Sequence, residues 1–372
     1  MKNRFWVGTY TEQGYLKPGP LPRRGGEGLY ACEKEEGQLR ILGCAPLVNP
    51  SFFCVDEKRR RIYAVGEIGA VQGHFGGTVS EIAYDGDLNM EIRQTLETEG
   101  ADPCHAELSP DGRLLTVSNY SSGALTVFRV AEDGSLTGEK EVFRHEGRGV
   151  NPRRQESPHV HSTVFLREDF FLAADLGTDL LAAYRLREGN VVPSPGENVR
   201  LPGGEGPRCA VLSKDGRHLY VMTEMGCRIH HFLVSEEEGE ARSRQFVFQD
   251  RGAVPLFCAA GQASAPSVPS EGDTGADLHL TPDGRFLIAS LRGQDLLAQY
   301  AVGPEGDLTL LYQVPCGGKT PRQFQLDPAG QFLLVGHQDS DSIVCFSITP
   351  EGLKREGQWH FPSPVCIRFM QG

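Results

Sequence analysis

Residues 207–232 alternate apolar runs with short polar breaks: a first apolar run, an Asp-Gly turn at Asp215-Gly216, a second run, a brief polar turn and a third run. Short apolar runs bounded by Gly, Asp and Pro predict strands, and an acidic-Gly pair between two of them predicts a hairpin. The same order returns at 103–128 with Ser109-Pro-Asp-Gly-Arg113, at 275–300 with Thr281-Pro-Asp-Gly-Arg285, and at 321–346 with Asp327-Pro-Ala-Gly-Gln331. The chain is a repeat array.

A second punctuation counts the repeats. An acidic residue followed by Gly, placed to turn a third strand into a fourth, occurs at Glu36-Gly37, Asp85-Gly86, Asp133-Gly134, Glu188-Gly189, Glu238-Gly239, Glu305-Gly306 and Glu351-Gly352. Seven turns mean seven units, and their period of roughly 50 residues is that of four-stranded propeller blades. A Pro precedes the first strand at Pro50, Pro103, Pro158, Pro207, Pro321 and Pro364, so the sixth unit lacks its Pro. The first unit opens at 5–10 without an innermost strand, and the apolar tail 364–369 has the length to supply it, which would close the ring and remove its exposed sheet edges. The expected fold is all-β, a seven-bladed β-propeller of four antiparallel strands per blade, with residues 1–372 as a single domain. Gly- and Pro-rich inserts fall at 12–27, 66–78 and 252–275, the last read as a rim loop because the strand pattern resumes in phase at Asp277.

Composition agrees and narrows the partners. With 45 Gly, 24 Pro and 39% hydrophobic residues, the chain suits a turn-rich β protein. Its formal charge of −12 argues against nucleic acid or an anionic membrane, so any anionic substrate must rely on local cations. No window approaches a membrane span, and no apolar signal run follows Met1. Ten cysteines lie scattered without a Cys-x-x-Cys pair, which predicts reduced thiols and a cytoplasmic protein; a monomer or weak homo-oligomer is expected.

Strand direction decides where chemistry can sit. In an antiparallel meander the Asp-Gly hairpins share one face, while the entry to strand one and the turn after strand two share the other. Eleven residues beyond Ser109, Ser213, Thr281 and Asp327 stand Tyr120, Glu224, Arg292 and Gln338, and five residues before Ser213 and Asp327 stand Arg208 and Arg322. His105, His161 and His279 are expected near the same level. Equivalent repeat positions with purely structural roles should carry similar residues, and polar channels also use His and Arg to satisfy one another; the variety here favours a ligand site.

Other features have plainer readings. His159-x-His161 points two rings to one face, but no third ligand at fixed spacing is evident, and neither a metal nor another cofactor is expected. His230-His231 is read as surface, Arg153-Arg154 as a solvated pair on a loop that could also lean over the mouth. Gly25-Gly26 and Gly76-Gly77 lack the helix and Lys of a phosphate loop, and no Gly-x-Ser-x-Gly elbow is present.

Gly206-Pro-Arg208, Pro158-His-Val-His-Ser162, Asp277-Leu-His279-Leu-Thr-Pro-Asp-Gly, Thr320-Pro-Arg322 and Gly8-Thr-Tyr-Thr11 together resemble the seven-bladed lactonase family over nearly the whole chain. That family includes propeller-type 6-phosphogluconolactonases and fungal carboxy-cis,cis-muconate cyclases. The resemblance implies a catalytic set of His161, Arg208, Glu224 and Arg292; His105, Tyr120, His159, His279, Arg322 and Gln338, by their places along the chain, are the substrate-binding candidates. It implies a small anionic lactone as substrate, 6-phosphogluconolactone of the pentose phosphate route leading; a muconate-type or unphosphorylated lactone is the alternative, and a binding propeller without turnover is the third reading. Lactone hydrolysis needs a base for water, which His161 or Glu224 could supply, and an oxyanion donor, for which Arg208 is placed; Arg292 and Arg322 are candidates to hold an anionic substituent.

Overall fold

The computed structural model describes residues 3–11, 25–71, 74–238, 244–257 and 269–370. Seven antiparallel units follow one another in a ring, each of four strands except that the outer strand of the fourth is split into Asn190–Pro193 and Val199–Arg200. Their innermost strands are Pro364–Phe369, Phe53–Asp56, Pro103–Leu108, Val160–Arg167, Pro207–Leu212, Thr274–Leu280 and Pro321–Leu326, and each lies beside the next until the seventh meets the first. The chain is the expected seven-bladed propeller. The ring closes as the terminal pattern predicts: Pro364–Phe369 pairs with Asn3–Thr9 in the register Phe5↔Phe369, Trp6↔Arg368, Val7↔Ile367 and Gly8↔Cys366.

The repeated hairpin has a local cause. In Ser109-Pro-Asp-Gly the Gly112 amide donates to the Ser109 carbonyl at 2.8 Å, the Ser109 hydroxyl donates to Asp111 at 2.6 Å, and the Leu114 amide donates back to Ser109 Oγ at 2.9 Å. Ser213 and Thr281 repeat this clasp, and Asp327 replaces the hydroxyl with a carboxylate that accepts the Gln331 and Phe332 amides. Gly112, Gly216, Gly284 and Gly330 have φ of +70°, +74°, +72° and +67°, a conformation a side chain would strain. These turns stand at the end of the ring away from the candidate site.

Every gap between neighbouring blades holds its own apolar cluster. Phe170, Leu181, Leu219 and Phe232 fill the one between blades four and five; each fully buried side chain of this size contributes about 1.5–3 kcal/mol. The core is therefore distributed around the axis, and the axis is left to polar residues.

Some local expectations change. His230 and His231 are buried: His231 stacks on Tyr220 and meets His218 Nδ1 at 3.0 Å, while His230 Nε2 lies 3.3 Å from Glu205. The pair sits on the third strand of blade five, Arg228–Glu238, which is sandwiched by adjacent blades rather than exposed. The fourth strand, Arg244–Pro255, continues past Gly252, so the insert expected from 252 begins later; residues 258–268, like 12–24 of the first insert, lie outside the described residues. The 66–78 insert carries a small ribbon, Ala70–Val71 paired with His74–Phe75. Among the described residues all nine cysteines are free thiols, and no helix is long and apolar enough to cross a membrane.

Candidate active site

Register irregularities in the inner strands build the site. Pro103 pairs with Asn119 and His105 with Ser118, leaving Cys104 as an extra residue; by the same offset His161, Arg208 and Arg322 are the extra residues of blades four, five and seven. A bulge frees one residue from the ladder and re-aims its side chain. Here it turns Cys104, His161, Arg208 and Arg322 to the axis at one depth, where they line both an outer cavity of about 440 Å³ and an inner one of about 330 Å³.

The outer cavity is rimmed by residues that end or follow the second strands of six of the seven blades: Tyr10, Glu67, Tyr120, Glu224, Arg292 and Gln338. Arg154 joins them from the loop between blades three and four. Four guanidiniums, of Arg154, Arg208, Arg292 and Arg322, face three carboxylates, of Glu67, Asp102 and Glu224, in a chain of formal charge −12.

Glu224 is the hub. Its Oε2 accepts from Arg208 Nη1 at 2.6 Å and lies 3.0 Å from Arg292 Nη2, while its Oε1 accepts from Arg154 Nη2 at 2.5 Å. Its amide donates to the Gly206 carbonyl and its carbonyl accepts from the Gly275 amide, tying it to the entries of two inner strands. Burial pushes its carboxyl upward, but the Arg292, Arg208 and Arg154 guanidiniums outweigh burial and hold it well below the usual range. Arg208 Nε donates to the Ala276 carbonyl at 2.6 Å, and its Nη1 also meets His161 Nε2. A guanidinium only donates, so Nε2 is the acceptor and the ring proton sits on Nδ1. Burial, reinforced by Arg208, drives His161 well below an ordinary imidazole, and it is neutral. Arg292 is lowered to about 10 by burial, and its Nε is buried without a hydrogen-bond partner among the described residues.

The structure thus brings His161, Arg208, Glu224 and Arg292 into one contact cluster, with Tyr120, Arg322 and Gln338 on the same cavity. Arg322 Nη2 lies 3.5 Å from Glu67 and its guanidinium packs over Tyr10, whose hydroxyl donates to Glu67 at 2.9 Å. Three expected residues sit elsewhere. His105 and His279 line the inner cavity with Glu107, Asp277 and Arg368, because the bulge gives the mouth position to Cys104 and because His279 stands only two residues before the hairpin at Thr281. His159 lies behind Tyr120, stacked on it at 4.6 Å with Nδ1 donating to the Tyr120 carbonyl. Tyr120 therefore separates His159 from His161, and among the described residues no His, Cys, Asp or Glu group is placed to hold a metal. Tyr10 and Glu67 were readable by the strand-end rule but lack the hairpin motif that locates it; Arg154 is in an insert with no repeat equivalent.

The model of the family described as Lactonase, 7-bladed beta-propeller, matches residues 4–369. The chain belongs to the seven-bladed lactonase family. It is similar to a 6-phosphogluconolactonase of Bacillus subtilis, 29% identical over 83% of this chain and 80% of that protein, and to one of Formosa agariphila, 29% identical over 78% and 75%. Among solved structures, a periplasmic gluconolactonase of Pseudomonas aeruginosa superposes with a TM-score of 0.84 at 29% identity, covering 99% of both chains.

Proposed function

We infer that the protein hydrolyses a sugar-acid lactone bearing an anionic group, with 6-phosphogluconolactone as the leading substrate and the pentose phosphate route as its setting. The observation that carries this reading is a single buried carboxylate shared by three guanidiniums beside a neutral imidazole, inside a cavity large enough for a phosphorylated hexonolactone. The names of the Bacillus and Formosa relatives support the phosphorylated substrate. The free thiols of the nine cysteines among the described residues fit a reducing, cytoplasmic compartment.

The roles follow from what each atom is free to do. Both protons of Arg208 Nη1 are engaged, one by His161 and one by Glu224, so His161 is the group that orients Arg208 and Glu224 Oε1 is the base. Oε1 takes a proton from water as the water oxygen bonds to the lactone carbonyl carbon. The displaced π electrons become an oxyanion, which Arg208 and Arg292 stabilise. Collapse breaks the ring C–O bond, the departing alkoxide takes the proton from Glu224, and the new carboxylic acid ionises to solvent. No covalent enzyme intermediate is needed.

An unphosphorylated lactone is the second reading, favoured by the likeness to the Pseudomonas gluconolactonase. Turnover of freshly prepared 6-phosphogluconolactone, glucono-δ-lactone and a muconolactone, followed by acid release against the spontaneous rate, decides. The expected order is phosphorylated lactone first by at least tenfold in kcat/KM; acceleration of none of the three would leave the binding-propeller reading.

A further inference from the structure

The three cations on Glu224 are not alike. Arg208 and Arg292 stand on strands, share Oε2, and keep side chains 6% and 16% exposed. Arg154 alone reaches Oε1, comes from the loop between blades three and four, and has a side chain 35% exposed. Its other contact is the Tyr120 hydroxyl at 3.2 Å, also at the rim.

The loop beneath Arg154 is firmly held. Buried Asp175 accepts from His145 Nδ1 at 2.9 Å on one oxygen and from the His159 and Gly177 amides at 2.7 and 3.0 Å on the other, pinning both feet of the loop; His145 Nε2 continues to the Tyr184 hydroxyl at 2.8 Å. Fully buried Gln155 donates to the Leu176 carbonyl and accepts the Asn151 amide, and Asn151 Oδ1 accepts the Arg153 and Arg154 amides. A fixed loop carrying one long, half-exposed cation can change partner by side-chain rotation alone.

We propose that Arg154 reads the anionic substituent of the substrate, and that its transfer from Glu224 to that anion frees Oε1 to act as the base. The proposal rests on the lactonase reading above and adds the coupling of recognition to activation. Arg binds phosphate and carboxylate with similar bidentate geometry, and a phosphate dianion competes well against a carboxylate that keeps two other guanidiniums. Removing the cation from Oε1 makes that oxygen more basic. A substrate without the anion leaves Arg154 where it is and meets a base still engaged. Arg322, compensated by Glu67 across the cavity, adds attraction without this exchange.

The test separates the anion from the lactone. In wild-type protein, inorganic phosphate added as a separate ligand should accelerate glucono-δ-lactone hydrolysis about tenfold or more, and Arg154→Ala should abolish that activation. Arg154→Ala should also raise the basal rate on glucono-δ-lactone and lower the kcat/KM ratio of phosphorylated to unphosphorylated lactone by about 100-fold; Arg154→Lys, which keeps charge without the fork, should recover part of the ratio. A ratio within threefold of wild type in Arg154→Ala, or phosphate activation that survives the substitution, overturns the proposal. Wild-type protein that accelerates neither lactone overturns the lactonase reading and this one with it, whereas normal wild-type turnover with an unaltered Arg154→Ala ratio removes only the role of Arg154.

Discussion

A carboxylate that compensates three guanidiniums has two duties, and the substitution that removes its charge should expose both. Glu224→Gln deprives the reaction of its base, so kcat should fall by about 100-fold or more. It also leaves Arg208 and Arg292 buried without their shared counter-ion, which costs several kcal/mol when a buried pair is broken from one side, so the melting temperature should drop as well. His161 separates base from orienter. Its Nε2 accepts from Arg208, and a Gln amide oxygen can accept in its place; His161→Ala should lower kcat about 100-fold while His161→Gln recovers at least tenfold of that loss. Equal loss in the two variants, measured in steady-state assays, would make His161 the base instead. At this scale the sequence was informative where the repeat supplied a ruler. Tyr120, Glu224, Arg292 and Gln338 could be placed by counting from a hairpin motif, and Arg208 and Arg322 by the Pro before them. Tyr10 and Glu67 hold the same strand-end position in blades without that motif, and Arg154 depends on a tertiary lean that no spacing encodes. His105 and His279 were placed too near the mouth because a one-residue bulge and a difference in depth along a strand leave no mark in an apolar-polar pattern.

The strand is the unit that closes the ring. Pro364–Phe369 is bonded to Asn3–Thr9 on one side of the chain ends, buries Val365, Cys366 and Ile367, and sends the Ile367 amide to Gln323 Oε1 at 2.7 Å. A chain ending at residue 362 loses this strand and exposes the inner edge of Asn3–Thr9, together with the faces of Phe5, Trp6 and Val7 that pack near it. Its melting temperature should fall by more than about 10 °C, or the protein should aggregate; a melting curve matching the full chain would mean that the first blade is stable with three strands. This element was legible because absence is a signal in a repeat: six units show an innermost strand, the first does not, and the tail has the missing strand's length and character. The surface reading of His230-His231 failed for the converse reason. An outer strand of a propeller is exposed only along its edge, and its two faces are packed by neighbouring blades, so alternation there does not report solvent.

Across the whole molecule, radial packing carries an electrostatic consequence. Burial lowers His105 to about 3 and His231 and His337 to about 4, and it holds His161 well below its ordinary value, in different blades and at the axis. An imidazole near 6.5 in the unfolded chain and lower in the folded one takes up its proton first on unfolding, so its stabilising contribution is complete above about pH 6.5 and is lost as pH falls toward the folded value. Glu107, raised by burial to about 7, acts in the opposite direction over part of that range, so the clean measurement is a difference between two chains. His337 is fully buried, with Nδ1 beside the Ser342 hydroxyl at 3.4 Å. Its titration alone should remove roughly 2 kcal/mol of stability between pH 8 and pH 5. His337→Gln should be less stable than wild type at pH 8 because it disturbs a packed site, yet its further loss on acidification to pH 5, read from denaturant unfolding at the two pH values, should be smaller than that of wild type by about that amount. An equal loss in both chains would show that His337 is protonated in the folded protein at pH 5, and that the polar axis admits water to the blade interior more freely than its packing indicates.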